Sequence, residues 1–153
     1  MKIRGFEVVR EDARKFGNLK IQLPTRGSKI AAGYDFYAPE TFTVPAGKVY
    51  VVWTDVKSYM QEGEVLKLYV RSSIGIKRGL VLANGTGIID ADYYENASND
   101  GNIGIALFNC REEAVIIEAG ERIAQGLFIS FLVADNGNTD SERAGGMGST
   151  GTK

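Results

Sequence analysis

The chain has 153 residues, a natural length for one domain, with 44% hydrophobic and 24% charged residues. Its net charge of −1 excludes a protein that binds nucleic acid through a general basic surface, although a few concentrated cations could still hold a small anion. Histidine is absent, which removes Ser-His-Asp and Cys-His catalysis and the usual His-containing zinc sites.

Along the chain, short two-fold alternation bounded by Gly, Pro, Asn and Asp is the recurring signal, and it predicts strands. Val49, Val51 and Trp53 fall on one face, and Leu66, Leu68 and Val70 on another. Ile103, Ile105 and Leu107 continue the pattern, followed by Val115-Ile-Ile117 and an apolar run from Ile123 to Val133. Turns are expected at Pro45-Ala-Gly47, Glu62-Gly63, Asn84-Gly85 and Ala119-Gly120. No stretch holds a helical period for a helix's length, and Ser72 to Arg78 has room for one short helical turn. Many short strands without helices predict an all-β sandwich or barrel of jelly-roll type.

Cys110 is the only cysteine, so no intrachain disulfide forms; a small buried hydrophobe in a reducing compartment is expected. There is no charged-then-apolar leader and no apolar run of about 18 residues, so a cytoplasmic protein without a membrane span is expected.

Two places break the strand pattern. Positions 123, 125, 127, 129 and 131 read Ile, Gln, Leu, Ile, Phe, so Gln125 interrupts an apolar face and needs hydrogen-bond partners. A core amide satisfied by backbone and a ligand-facing amide both meet that need. Asp90 and Asp92, at i and i+2 after Ile88-Ile89, would stand about 7 Å apart on one face of a strand or hairpin. They read either as a solvated turn or as carboxylates with separate roles. The terminal Arg143-Ala-Gly-Gly-Met-Gly-Ser-Thr-Gly-Thr-Lys153 has the glycines, hydroxyls and cations of a phosphate loop. It lacks the Walker order GxxxxGK[ST] and a following helix.

Five blocks follow one another: Ala32-Gly-Tyr-Asp-Phe-Tyr-Ala38, Arg71-Ser-Ser-Ile-Gly-Ile-Lys77, Asn84-Gly-Thr-Gly-Ile-Ile-Asp90-Ala-Asp-Tyr93, Glu121-Arg-Ile-Ala-Gln125 and Gly145-Gly-Met-Gly-Ser-Thr-Gly151. In this order they resemble the five motifs of the trimeric dUTPases, from about residue 30 onward, in a divergent bacterial or phage-like branch. The resemblance implies one domain over residues 1–153, a distorted jelly roll of the β-clip kind. It also implies a homotrimer in which a flexible arm, residues 134–153, closes over a neighbouring subunit's site. The implied reaction is Mg²⁺-assisted hydrolysis of dUTP to dUMP and pyrophosphate, which keeps uracil out of DNA and supplies dUMP for dTMP synthesis.

By the same resemblance, Asp90 is the general base that deprotonates the water attacking the α-phosphorus. Arg71, Ser72 and Ser73 hold phosphates, with Gln125 near them. Asn84, Gly87, Ile88 and Gly104 read the uracil edge, and Tyr93 lies against the deoxyribose, leaving no room for a 2′-hydroxyl. Arg143, Met147, Gly148 and Ser149 belong to the arm, while Asp35 and Asp92 organise the site from behind. Mg²⁺ would be held through the substrate's phosphates and waters rather than by direct protein ligands. The fork of Arg71 suits phosphate, and a modest base suffices where positioning and charge do most of the work.

Some positions depart from the motifs. Met147 stands where an aromatic is usual, so either the closure is looser or an aromatic from elsewhere in the chain takes the place. Arg143 is one residue nearer the glycines than usual, Val70 replaces a common proline, and residues 95–102 form a longer hairpin tip than the shortest relatives have. Two other readings go with the scaffold. A dCTP deaminase would share the fold and the Arg-Ser-Ser segment, but it needs a glutamate in the base pocket. A regulatory or binding protein would use the scaffold without chemistry, and an unidentified regulatory partner is compatible with either enzyme. Neither membrane association nor stable nucleic-acid binding is expected.

Overall fold

The computed structural model describes residues 1–151; Thr152 and Lys153 of the expected arm lie outside the described residues. Twelve strands occur among them: β1 Gly5–Val8, β2 Thr25–Arg26, β3 Tyr34–Tyr37, β4 Phe42–Val44, β5 Val49–Trp53, β6 Val56–Tyr59, β7 Glu64–Val70, β8 Leu80–Leu82, β9 Gly87–Asp90, β10 Gly104–Asn109, β11 Val115–Ile117 and β12 Arg122–Ser130. They pair antiparallel as β2-β3-β12-β7-β9, β5-β10-β8, β1-β6 and β11-β4. This is the jelly-roll-like all-β architecture that the alternation predicts. The four predicted turns are all present, and Gly47, Gly63, Gly85 and Gly120 take φ between 64° and 84° in them. The expected turn after Ser72 is a single π-helical turn, Ser73–Lys77.

The sheets close around Phe36, Leu66, Leu68, Leu80, Ile103, Ile105, Leu107, Ile117 and Ile123, each at most 2% exposed. Burying such side chains contributes about 1.5–3 kcal/mol each. Phe6, Tyr34, Phe36 and Phe128 form an aromatic cluster with ring centroids 5.4–5.9 Å apart.

Three strand expectations need correction. Along β12 the register slips between Arg122 and Ala124, and this bulge inverts the alternation beyond it. Ala124, Gly126 and Phe128 therefore take the core side, while Gln125 and Leu127 are half-buried and Ile129 is exposed. Gln125 is thus not a core amide. The strand also ends at Ser130, leaving Phe131, Leu132 and Val133 exposed. In β5 the apolar face carrying Val49 and Val51 points outward, and the core receives Val52 instead. Cys110 is exposed rather than buried, because it follows β10 in a surface turn.

The N-terminal segment carries none of the five motifs, yet it is tied to the tip at 95–102. Asp55, fully buried at φ 54°, accepts hydrogen bonds from Lys15 N (2.8 Å), Phe16 N (3.0 Å) and Asn102 Nδ2 (2.9 Å). Buried Asp100 accepts from Arg10 N (2.7 Å) and pairs with Lys57 Nζ at 2.9 Å. Burial disfavours the Lys57 ammonium, but hydrogen bonds and attraction from Asp100 and Glu95 outweigh it and hold its pKa above the ordinary lysine value. That contribution to stability is complete at neutral pH and is lost only as pH rises through the raised value. Replacing Asp55 by Ala should cost about 2–4 kcal/mol, since two backbone N–H groups and the Asn102 amide lose a buried charged acceptor. Asp55→Asn should cost less, because Asn tolerates positive φ and retains one acceptor oxygen. Urea midpoints at fixed protein concentration test this, and an unchanged midpoint for Asp55→Ala would contradict it.

Candidate active site

The sequence-predicted residues gather at two separate places. At one end of the large sheet, Arg71 leaves β7 just before the π turn, and Gln125 of β12 sits opposite both Tyr69 and Asp35. Arg71, Ser72, Ser73 and Gln125 line a hollow of about 450 Å³ with Ile76 and Lys77. Behind it Asp35, 5% exposed, faces Arg71 Nε at 3.3 Å and Arg122 Nη1 at 3.3 Å. One buried carboxylate therefore aims two guanidinium groups, and charge-assisted bonds of this kind hold orientation well. Gly33 makes the packing possible, since a Cβ there would stand 2.5 Å from Gln125 Oε1. With Lys77 added, the hollow has the cations, hydroxyls and amide that bind phosphate oxygens.

The second place surrounds the end of β9. Ile88, Asp90, Tyr93, Gly104, Arg143, Met147, Gly148 and Thr150 line a smaller hollow of about 150 Å³ together with Ile89. Asp90 ends the strand, and Asp92 lies in the 3₁₀ turn Ala91–Tyr93 rather than on one strand face with it. Arg143 spans the two carboxylates, with Nη2 2.8 Å from Asp90 Oδ2 and Nε 2.8 Å from Asp92 Oδ1. The repulsion expected of such a pair is thus offset by a shared cation. The same guanidinium lies 5.7 Å over the Tyr93 ring.

Tyr93 is buried; its hydroxyl donates to Asn102 O at 2.8 Å and accepts from Asn99 Nδ2 at 2.8 Å. Burial raises its pKa, against the weaker opposing effects of Asn99 and Arg143, so the phenol stays neutral. Ser149 stays inside the arm, where its hydroxyl donates to Gly145 O at 2.9 Å. Gly87 is buried against Leu68, and a Cβ there would stand 2.8 Å from the Leu68 Cβ. Asn84 lies exposed in the β8–β9 turn and lines neither hollow.

Three contributors carried no assignment at the level of sequence. Arg122 stands inside the fourth block, and its fork toward Asp35 could be read only once β3 and β12 were paired. Lys77 closes the second block and lines the phosphate-type hollow. Trp53 pairs with Gly104, itself in the wall of the second hollow, across β5 and β10. Among the described residues, no three His, Cys, Asp or Glu side chains converge as metal ligands.

The family model described as dUTPase matches residues 19–151 of this chain. The chain belongs to the dUTPase family. A deoxyuridine 5'-triphosphate nucleotidohydrolase of Lactococcus lactis is 48% identical to it over 99% of both chains, which includes the N-terminal segment that lacks the five motifs. The dUTPase of Streptococcus mutans is similar in structure, with a TM-score of 0.75 and 46% identity, covering 86% of this chain and 99% of that one. A mutant dUTPase from phage phi11 of S. aureus shares the fold, with a TM-score of 0.69 and 23% identity over 92% of this chain and 98% of its own; that protein coordinates a structural Mg(II) ion. As in this family's relatives, the chain is a dUTP nucleotidohydrolase.

If Asp35 aims Arg71 and Arg122, Asp35→Ala should raise KM for dUTP about tenfold, as a charge-assisted bond is worth about 1.5–3 kcal/mol. Asp35→Glu should recover part of the loss. Steady-state kinetics check both, and an unchanged KM in the Ala variant would remove the carboxylate from this role.

Proposed function

We propose that the reaction, conversion of dUTP to dUMP and pyrophosphate, takes place at a site assembled from several copies of this chain. The observation that carries this reading is the register of β7. Asp90 lies opposite Val65 near the start of β7, whereas Arg71 follows the other end of that strand, six residues on. At about 3.3 Å per residue the two are roughly 20 Å apart, further than three linked phosphates extend from a sugar at Tyr93. One copy therefore supplies Asp90, Tyr93 and the base-reading hairpin, and another supplies Arg71, Ser72, Ser73 and Gln125.

Exposed apolar surface supports assembly into a homotrimer. Val49, Val51, Val81, Ile116 and Leu132 are exposed, as are Ile88, Ile129 and Phe131 around a hollow shared with Asp90. Patches of this kind mark interaction surfaces. Light scattering is expected to return about three times the 16.6 kDa chain mass.

Within such a site, Asp90 takes a proton from the water that attacks the α-phosphorus. Arg71, the two serines and Gln125 hold the triphosphate in line, and Arg143 exchanges its two carboxylates for phosphate oxygens as the arm closes, which frees Asp90. Tyr93 fills the space of a 2′-hydroxyl, and backbone groups at Gly87, Ile88 and Gly104 with the Asn84 amide meet the uracil edge. Unpaired polar groups then penalise cytosine. Mg²⁺ fits a site with phosphate-binding cations and, among the described residues, no converging carboxylate cage: the substrate's oxygens would hold it, and when bound it would supply charge neutralisation and fix the triphosphate's geometry. Asp35 and Asp92 act from behind, each by orienting arginine. The single unpaired cysteine accords with a reducing cytoplasm.

In the described chain the arm folds back over its own β9, placing Arg143 on the same chain's Asp90. The expected exchange between neighbours is therefore read from complementation. Asp90→Asn should lower turnover about 10²-fold or more while keeping nucleotide binding. A chain lacking residues 143–153 should also be inactive. Co-expressed, the two defective chains should regain activity in verified mixed trimers, where a sound Asp90 meets a sound arm. Mixed trimers that stay inactive would show that the arm serves its own chain; Asp90→Asn turnover within a few-fold of wild type would remove Asp90 from the mechanism.

A further inference from the structure

Met147 is the arm's departure from the family motif, and the structure shows what it rests on. A Cβ built on Gly104 would stand 3.0 Å from Trp53 Cζ3 and 3.1 Å from Met147 Cε. The missing β-carbon lets the edge of the indole and the terminal methyl of Met147 both approach the β10 backbone at Gly104. Trp53 is the only tryptophan in the chain, and Lys15 Nζ lies 5.7 Å over its ring. The arm's glycines press on a second surface. A Cβ on Gly146 would stand 2.8 Å from Ser98 Oγ and 3.0 Å from Asn99 Nδ2.

That second surface is the lengthened tip, and it is rigidly built. Asn96 Oδ1 accepts from Ser98 N at 3.0 Å, Ser98 Oγ at 2.9 Å and Asn99 N at 3.2 Å. Asn99 donates onward to the Tyr93 hydroxyl, and Asp100 is anchored by Lys57 and Arg10 N. Glu95 and Asp100 are held at φ 56° and 58°, a conformation that persists only where the surroundings enforce it.

We propose that Trp53 and the Ser98–Asn99 tip form the seat on which the arm closes, with Trp53 supplying the aromatic surface that Met147 does not. The inference rests on the reading of the arm as a lid over Asp90. The seat belongs to the chain that carries Asp90, whether the arm arrives from that chain or from a neighbour. A glycine-rich arm loses much conformational freedom on docking, so it needs a defined place to land. A sulfur–aromatic contact strengthens such docking by about two- to tenfold.

Because Trp53 is the sole indole, its emission reports the seat directly. Intact chain and chain lacking residues 143–153 are each titrated with an imido analogue of dUTP, with binding followed separately by calorimetry. The intact protein should show a shift or quenching of emission on binding that the truncated protein lacks. Identical emission in both, with analogue bound, overturns the proposal while leaving the hydrolase reading intact; a wild-type chain that neither binds the analogue nor hydrolyses dUTP would instead strike that reading. Trp53→Leu and Met147→Gly should each raise KM two- to tenfold, the double variant should be no worse than the poorer single, and Trp53→Phe should recover most of the loss. Losses that multiply in the double variant would mean that the two side chains act independently, and the seat would fall.

Discussion

The antiparallel pairing of β7 with β9 on one side and β12 on the other governs the rest of the molecule. β7 is buried between its neighbours through Leu66 and Leu68, so its register cannot slip without turning those side chains to solvent. That register puts the carboxylate of Asp90 near one end of the strand and the guanidinium of Arg71 beyond the other. In the proposed function, this spacing is what assigns the base and the phosphate-binding groups to different copies of the chain. The pairing that buries Leu66 and Leu68 thus also fixes the distance between the two hollows.

Each of the two hollows is organised by one shared charged side chain. Beside the hollow lined by Arg71 and Gln125 a single buried carboxylate, Asp35, orients Arg71 and Arg122; at the end of β9 a single guanidinium, Arg143, spans Asp90 and Asp92. Sharing holds two like charges side by side without full repulsion. It also leaves each group able to change partners when a polyanion enters, since a guanidinium that binds carboxylate binds phosphate by the same fork. Gly33 and Gly104 do comparable steric work, each omitting a β-carbon where Gln125 or Met147 must approach.

The region outside the motifs is also connected to the site. Residues of the N-terminal segment hydrogen-bond to Asp55 and Asp100, Asp100 fixes the 95–102 tip, and the tip meets both Tyr93 and the arm's glycines. The extra residues of the tip are thus a platform whose buried polar groups are paired on the side away from the arm. Their cost in backbone strain at Glu95 and Asp100 is offset by the Lys57 ion pair and the asparagine network.

Much was legible in the linear chain because it depends on local chemistry. Alternation located the strands around Leu66, Leu68 and Ile103 to Leu107, glycines with asparagine or proline located the turns, and the lack of histidine removed the His-dependent catalytic arrangements. The ordered motifs identified the family and its reaction, since residue types suited to phosphate and uracil recur there in one sequence. Tertiary structure decided what alternation alone cannot. The bulge after Arg122 moved Gln125 from an apparent core position to the cavity wall, because one inserted residue inverts a period of two. The pairing of Arg122 with Asp35 and the approach of Met147 and Trp53 to Gly104 bring together residues distant in sequence. Such contacts depend on which strands lie side by side, and that is set by the packing of the whole core.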